Sequence, residues 1–599
     1  MLRVEGGNSW LGLPPSTLNN LNPSTISTLN HLNLFHMNTE ITGILAAFFI
    51  TLILAWPLGR YIAKVYGGEQ TWTDTIFGPV ERLFFSVSGI DSSREMTWVE
   101  HLKALLTINM LWFLMTMFVL LNMAWLPLNP DGNASMTPDL AFNTAISFVV
   151  NCNLQHYSGE TGLSYLGQIW LMFLQFVSAA TGMAAAAVLF NALRERQTKT
   201  LGNFYDYFLK SGTRILLPIS IVVTLFLMLN GTPMTFEGKD TVVGLQGDTV
   251  QVSRGPVAAF VAIKHVGTNG GGFYGANSAH PLENPNYFTA LVEMVAQFII
   301  PLGMVFAFGF YLKRRKLAMM VFGVMTAGFL MLVIPNIIFE MKGNPAFAGM
   351  GVDQSLGAME GKEIRFGAGL SAYWSILTTV ISTGSVNAMH DSTMPLSGMN
   401  QLLAMMVNGF YGGVGVGLLN FFIYLIIAVF ISGLMVGRTP EFMGKKVEAR
   451  EVKIAMLTAL LSPLLIMGGT ALAAWMQVKD PTLPWLNNPG FHGFSEMLYE
   501  MTSANANNGS GFEGLGDNNP FWNISTGIIL LFGRFIPIIG PIAIAGLLAS
   551  KKYIPESAGT LKTDTATFGV MVFSVIAILT ALSYFPALAL GPIAEYFSL

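Results

Sequence analysis

The stretch Gly255–Asn277 reads GPVAAFVAIKHVGTNGGGFYGAN. Its apolar part is about ten residues long, and at about 1.5 Å per residue a helix of that length reaches only part way across a bilayer. It then runs into Gly270, Gly271 and Gly272. Consecutive glycines let a backbone come close to something small, at angles that a side chain would penalise. A phosphate, a dinucleotide and a bare cation are the ligands such a loop can accept.

Three other stretches share the pattern of a short apolar run ending in Thr, Ser, Asn and Gly. They are TPDLAFNTAISFVVNCNLQHYSGE from Thr137, LSAYWSILTTVISTGSVNAMHDS from Leu370 and FSEMLYEMTSANANNGSGFEGL from Phe494. Their surroundings explain them. The chain has 599 residues, of which 52% are hydrophobic and 11% charged, against roughly a quarter charged in soluble domains. Apolar runs long enough to cross a bilayer lie near 40–58, 104–128, 162–191, 213–230, 287–312, 317–339, 412–436, 453–476, 521–549 and 567–590. The expected fold is therefore all-α and polytopic, with about ten transmembrane helices.

Lys and Arg concentrate in alternate loops: Arg60 to Lys103, Arg194 to Lys210, KRRK at 313–316, the segment from Gly437, and Lys551 to Lys562. The positive-inside rule puts these loops in the cytoplasm and both termini outside. The four short apolar stretches then fall on the opposite side, each between two spans. The order span, short helix, polar loop, span occurs four times, over approximately 100–195, 205–313, 314–440 and 450–552, with one extra helix at each end. Irregular backbone is tolerated at membrane depth only where protein buries it or where it lines an aqueous path. Four such loops imply one shared axis.

Gly270, Gly272 and Gly275 spell GxGxxG, with Glu293 downstream. The dinucleotide motif needs a strand before it and an amphipathic helix after it, whereas an apolar, membrane-like run from Tyr287 follows here. No GxxxxGK[ST] occurs, so a P-loop has no support either. A desolvated cation fits better. Potassium entering a narrow pore exchanges water oxygens for backbone carbonyls, which four loops can supply, and the C-terminal ends of short helices add partial negative charge. The loop centres NCN, TNGG, STGS and NNGS carry no formal charge, unlike the carboxylate sites typical of calcium or magnesium. His156, Glu160, Lys264, His265, His390, Asp391 and Glu513 flank the loops. Hydrogen bonding that holds loop shape is the expected role for these, and tuning of the field at the pore mouth is the alternative. Ser, His and Asp occur in no spacing that marks a hydrolase.

The single cysteine, Cys152, excludes an intramolecular disulfide and a Cys-based zinc site. The net charge of −3 gives no reason to expect a nucleic-acid partner. Residues 1–36 are polar, lack the pattern of a signal peptide and are expected to form a disordered extension; a translation start at Met37 would account for them. Residues 37–599 are expected to form one transmembrane domain.

GTNGGGF with HPLENP, MEGKE.RFG from Met359, AMHDS, GGVG.GL from Gly412, GRTPE with GKK, NPGFHGFSE, NNGS.F and PALALGP.AEY, in that order, strongly resemble the KdpA family, the potassium-binding subunits of bacterial Kdp potassium-transporting ATPases. The resemblance runs from about Met37 to the C-terminus. It implies four membrane-pore-membrane repeats, as in the superfamily of potassium channels and Trk-type transporters. It also implies a bacterial inner-membrane location and potassium as the transported ligand, with no covalent cofactor. The implied partners are a KdpB-like P-type ATPase subunit, a KdpC-like subunit and a small KdpF-like subunit. Carried over by motif, the filter comprises Asn151, Cys152 and Asn153; Thr268, Asn269, Gly270 and Gly271; Ser382, Thr383 and Gly384; and Asn507, Asn508 and Gly509. Gln155 matches a glutamine the family places beside the first loop. Two departures stand out: VVNCNLQ where something nearer VTNTNWQ is expected, and Ala506 where asparagine is usual. They bear on affinity rather than on the identity of the ion. The chain lacks the DKTGT phosphorylation sequence of P-type ATPases, so a non-catalytic subunit served by a partner's ATP hydrolysis is expected. A self-sufficient Trk- or Ktr-like channel or ion-driven transporter is the alternative.

Overall fold

The computed structural model describes the backbone of residues 23–599 apart from 348, 436, 438 and 556–561, and side chains from residue 39 onward. The expected disordered extension falls outside the described residues up to 22. From Pro23 the backbone is helical and runs without interruption to Tyr66, into the first span.

Among the described residues ten helices are long and apolar enough to cross a membrane: Thr39–Tyr66, Trp98–Asn122, Tyr165–Arg194, Phe204–Leu229, Tyr287–Tyr311, Arg315–Phe347, Val416–Met435, Ala449–Lys479, Pro520–Ser550 and Ala566–Ser598. Each overlaps one apolar run read from the sequence. Over an apolar 18-residue stretch of each, 89% is buried in the third span and 78% in the fifth, against 22% in the first and eighth. The third and fifth are therefore central, and the others present an outer apolar face such as lipid would cover. The first span packs along the fifth. Gly59 permits the close approach, since a Cβ there would lie 2.7 Å from both the Gly303 carbonyl oxygen and Phe306 Cβ. Small residues at such crossings let helix backbones approach within membranes, where no hydrophobic drive favours association.

Four short helices lie between pairs of spans: Pro138–Val149, Val257–Val266, Gly367–Val380 and Phe491–Ala506. Almost all of their residues are buried.

Three features were not expected. The first is the seventh span, read as 412–436, which begins at Val416. A separate helix, Pro395–Val407, precedes it, and residues 408–415 form a buried loop between the two. Asn408, Tyr411, Gly412 and Gly415 have positive φ there, which breaks the helix despite its apolar composition. The second is the basic loop after the first span, which contains an amphipathic helix, Trp72–Ser88. It exposes Ile76, Val80, Leu83 and Val87 on one face. Glu81 and Asp74 hold it to Arg214 of the fourth span, within a π-helical segment over Ser211–Leu216. The third is an antiparallel hairpin, Asp240–Val243 with Thr249–Val252, in the loop that leads to the second short helix.

Candidate functional site

The four short helices end in the same way. Asn151, Thr268, Ser382 and Asn507 all have positive φ, of 63°, 47°, 50° and 51°. The next backbone N–H in each loop donates to a carbonyl five residues back: Cys152 to Ser147, Asn269 to Lys264, Thr383 to Thr378 and Asn508 to Ser503, each at 2.9 Å. This is the Schellman ending, in which a left-handed residue turns the chain and satisfies orphan helix carbonyls. Two residues after the first left-handed position comes a second. It is Asn153 at φ 59°, Gly270 at 93°, Gly384 at 83° and Gly509 at 104°. Three loops use glycine there; the first uses asparagine, a residue that visits left-handed backbone more readily than most.

The second left-handed position is also where neighbouring loops touch. A Cβ on Gly270 would collide with the Thr383 carbonyl oxygen, one on Gly384 with the Asn508 carbonyl oxygen, and one on Gly509 with the Cys152 carbonyl oxygen. Loop two thus abuts loop three, three abuts four, and four abuts one. Loops one and two complete the circuit: a Cβ on Gly271 would lie 2.8 Å from Asn153 Cβ, and Asn151 Nδ2 donates to the Thr268 carbonyl at 2.8 Å. The predicted residues of all four loops are therefore brought together in one ring, almost entirely buried in protein.

Polar side chains within and around the ring hold it. Gln155 receives the Gly272 N–H at 2.9 Å and donates to the Gly272 carbonyl at 3.1 Å, fixing loop two from loop one. Asn508 Nδ2 donates to the Thr378 carbonyl at 2.8 Å, and Asn269 Nδ2 to the Ile263 carbonyl at 3.2 Å. Ser178 of the third span lies 2.9 Å from Asn151 Oδ1 and 3.2 Å from Asn269 Oδ1. A longer relay starts at Lys264, fully buried, whose Nζ donates to Glu283 at 2.5 Å and to Asn277 Oδ1 and Ser278 Oγ at 2.7 Å. Oriented this way, Asn277 Nδ2 donates to the Gly270 carbonyl at 2.7 Å. Each such carbonyl keeps its second lone pair.

The remaining flanking charges are also engaged. His265 Nε2 lies 2.8 Å from Ser385 Oγ, His390 Nδ1 lies 2.9 Å from Tyr499 Oη, and Glu160 accepts the Gly275 N–H at 2.7 Å. Glu513 accepts the Asp391 N–H at 3.1 Å. His156 sits between Asn523 at 2.7 Å and Glu500 at 3.0 Å. Burial alone would pull its pKa down, but the carboxylates of Asp517 and Glu500 outweigh that and hold it up at about 9.

Sequence reasoning overlooked two groups at the other end of the ring. Residues 408–415 lie against the C-terminal ends of the short helices: the Val414 N–H donates to Thr268 Oγ1 at 3.0 Å, Ser382 Oγ to Asn408 Oδ1 at 3.0 Å, and Asn408 Nδ2 to the Ala506 carbonyl at 3.2 Å. Arg534, buried in the ninth span, donates to the Ser178 carbonyl at 3.4 Å, and its Nε has no partner. A lone arginine within a span was a readable signal, because charges at that depth are costly and mark ion paths or pairing.

The ring brings together four uncharged loops, each at the C-terminal end of a short helix. Such an arrangement can replace the hydration shell of a monovalent cation. Comparison with known proteins places the chain in a family. Residues 45–597 match the family model described as KdpA, potassium-transporting ATPase A subunit. Proteins named potassium-transporting ATPase potassium-binding subunit are similar: 67% identical over 572 residues in Flavobacterium psychrophilum and 68% over 572 residues in Flavobacterium johnsoniae, each covering 94% of this chain and 100% of the relative. The protein of that name from Geobacillus kaustophilus is 45% identical over 567 residues, with the same coverage. A crystal structure of the potassium transporter TrkH from Vibrio parahaemolyticus aligns with a TM-score of 0.47 at 14% identity, covering 84% of this chain and 96% of that one. On the extent of the family match and the identity of these relatives, the chain belongs to the KdpA family of potassium-transporting ATPase A subunits.

Proposed function

We propose that this chain is the potassium-binding subunit of an ATP-driven potassium uptake complex, and that the ring of four loops captures the ion. One observation carries the reading: the same Schellman ending and the same second left-handed residue recur in four loops that touch one another in sequence. Backbone held in one conformation four times round a closed circuit can present carbonyls to a common site. Carbonyl dipoles of that kind exchange for water around potassium with little reorganisation.

Residues 37–599 act as one domain of four repeats with an extra helix at each end. The ion binds from the outer face, both termini lie outside, and the complex sits in the bacterial inner membrane. ATP is hydrolysed by a KdpB-like partner, with KdpC-like and KdpF-like subunits completing the assembly. The absence of a DKTGT sequence from this chain supports that division of labour. The backbone carbonyls of the four loop centres are the oxygens that would serve the ion.

The test is potassium-stimulated ATP hydrolysis, with sodium as control, in the chain alone and in the chain co-expressed with its Kdp partners. Stimulation only in the complex, lost in Gly270→Asp, is the expected result. Potassium flux through the isolated chain in vesicles, with no stimulation in the complex, would identify a self-sufficient channel or ion-driven transporter instead.

A further inference from the structure

At the N-terminal end of the fourth short helix, away from the ring, His492 and Glu496 stand one turn apart on the same helix face. Asp391, which follows the third loop, meets them there. One ligand atom from each of the three lies within 4.8 Å of the others. A tetrahedral ion with bonds of about 2.1 Å holds its ligand atoms about 3.4 Å apart, so only a small closing movement separates this cluster from a coordination shell.

The surroundings are those of a ligand set. His492 Nε2 lies 2.9 Å from Asp391 Oδ1, while Nδ1 lies 2.8 Å from Glu595 Oε1 in the C-terminal segment. A ligating imidazole is commonly held in this way, one nitrogen toward the ion and the other N–H on an outer carboxylate. Asn488 Nδ2 donates to Asp391 Oδ2 at 3.2 Å and to Glu496 Oε1 at 3.0 Å, which keeps two carboxylates together that would otherwise repel. Independently, Glu496 is fully buried and its Oε2 has no hydrogen-bond partner. A buried carboxylate oxygen without a donor is costly, and a cation removes that cost. Gly514 leaves the space: a Cβ there would lie 2.6 Å from Asp391 Oδ2 and closer still to Glu496 Oε1. A cavity of about 380 Å3, lined in part by Asp391, Asn488, His492 and Glu595, gives access. The other histidine–carboxylate cluster, His156 with Glu500 and Asp517, lacks a buried carboxylate oxygen without a partner such as Glu496 Oε2.

We propose that Asp391, His492 and Glu496 bind a first-row divalent cation of the zinc class, with Glu595 orienting the imidazole. One imidazole with two carboxylates and no thiolate suits zinc, whereas magnesium and calcium favour shells built of oxygens alone. The bound ion would tie the segment after loop three, the fourth short helix and the C-terminal segment into one unit on the side of the ring remote from residues 408–415. The site is separate from the potassium reading and does not depend on it.

The test loads the purified full-length chain, in its assembled complex, with zinc, removes excess by dialysis and measures metal by mass spectrometry. About one zinc per chain is expected, unaffected by millimolar magnesium, with E496Q and H492Q abolishing it and E595Q weakening affinity by about 10- to 100-fold. Gly514→Ala, which fills the space between the carboxylates, should also abolish it. X-ray absorption of the loaded wild type should show nitrogen and oxygen ligands with a single imidazole and no sulfur. Less than about 0.1 zinc per chain in a monodisperse wild type, more than one imidazole in the spectrum, or zinc retained by the H492Q/E496Q double variant would overturn the proposal, the last marking an adventitious ion only.

Discussion

Gly270→Ala tests the ring most directly. Gly270 has φ +93°, and a Cβ there would lie 2.7 Å from Gly384 Cα and 2.8 Å from Gly384 C, nearer still to the Thr383 carbonyl oxygen. Ordinary contact begins near 3.4 Å, so loops two and three must part by at least about 0.7 Å in an interior with no slack. The backbone conformation itself costs alanine about 1–2 kcal/mol. Displacing one carbonyl from a charged partner costs about 1.5–3 kcal/mol, equivalent to about 10- to 150-fold in affinity. In the assembled complex, the potassium concentration that half-saturates ATP hydrolysis should rise by that factor, and discrimination against sodium should fall. Gly468→Ala is the control, since nothing lies within 4 Å of the added Cβ, and it should leave both quantities unchanged. Asn153→Gly probes the one quadrant that already carries a side chain at this position, and should shift affinity by less than about threefold. Unchanged affinity and selectivity in an active Gly270→Ala complex would refute the argument that inter-loop contact sets the ion's oxygens.

Lys264→Met should lower the yield of folded protein sharply, because it strands Glu283 in a fully buried site at a cost of about 3–5 kcal/mol; the K264M/E283Q pair should recover much of the loss in a fluorescence-detected thermal melt. The His156 network makes stability depend on pH. Its pKa is held at about 9 in the folded chain, above the ordinary value of about 6.5, so its contribution is present near pH 6.5 and is lost as pH rises through about 9, while Asp517, pushed up to about 6 by burial, takes up a proton at lower pH. Thermal stability should therefore decline over that window, and His156→Gln should flatten the decline. Cys152 is fully buried and should react with a maleimide at least about 100-fold more slowly than an exposed thiol engineered into residues 240–252, since reaction there requires local opening; rapid labelling of the native complex would contradict the closed ring.

The spans were legible because hydrocarbon imposes one requirement, length, on every segment that crosses it. Each of the ten apolar runs met it, and each overlaps a helix in the structure. The four short helices were legible for the complementary reason, being too short to cross and ending in residues suited to left-handed backbone. The same logic failed at 408–415. Hydropathy is high on both sides of that segment, and only the clustering of Asn408, Gly412 and Gly415 marked the break. Helix Trp72–Ser88 was hidden by its charges, which read as a loop because Arg82 and Glu81 are adjacent in sequence; only the structure shows Glu81 turned toward Arg214. Among the loop residues, the left-handed positions could be guessed from Gly and Asn. The relay from Lys264 through Asn277 to Gly270 could not be, because it depends on how thirteen residues fold back on themselves.

The four quadrants share a backbone conformation but not a composition: NCN, TNG, STG and NNG. In a channel made of four identical subunits, every substitution is made four times at once, and the lining can change only in large steps. Here one codon alters one wall. If the ring holds the ion as proposed, a lineage can move its grip in quarter increments, keeping three walls fixed while a fourth is tried, and Cys152 sits in the quadrant where this chain departs furthest from the expected motif.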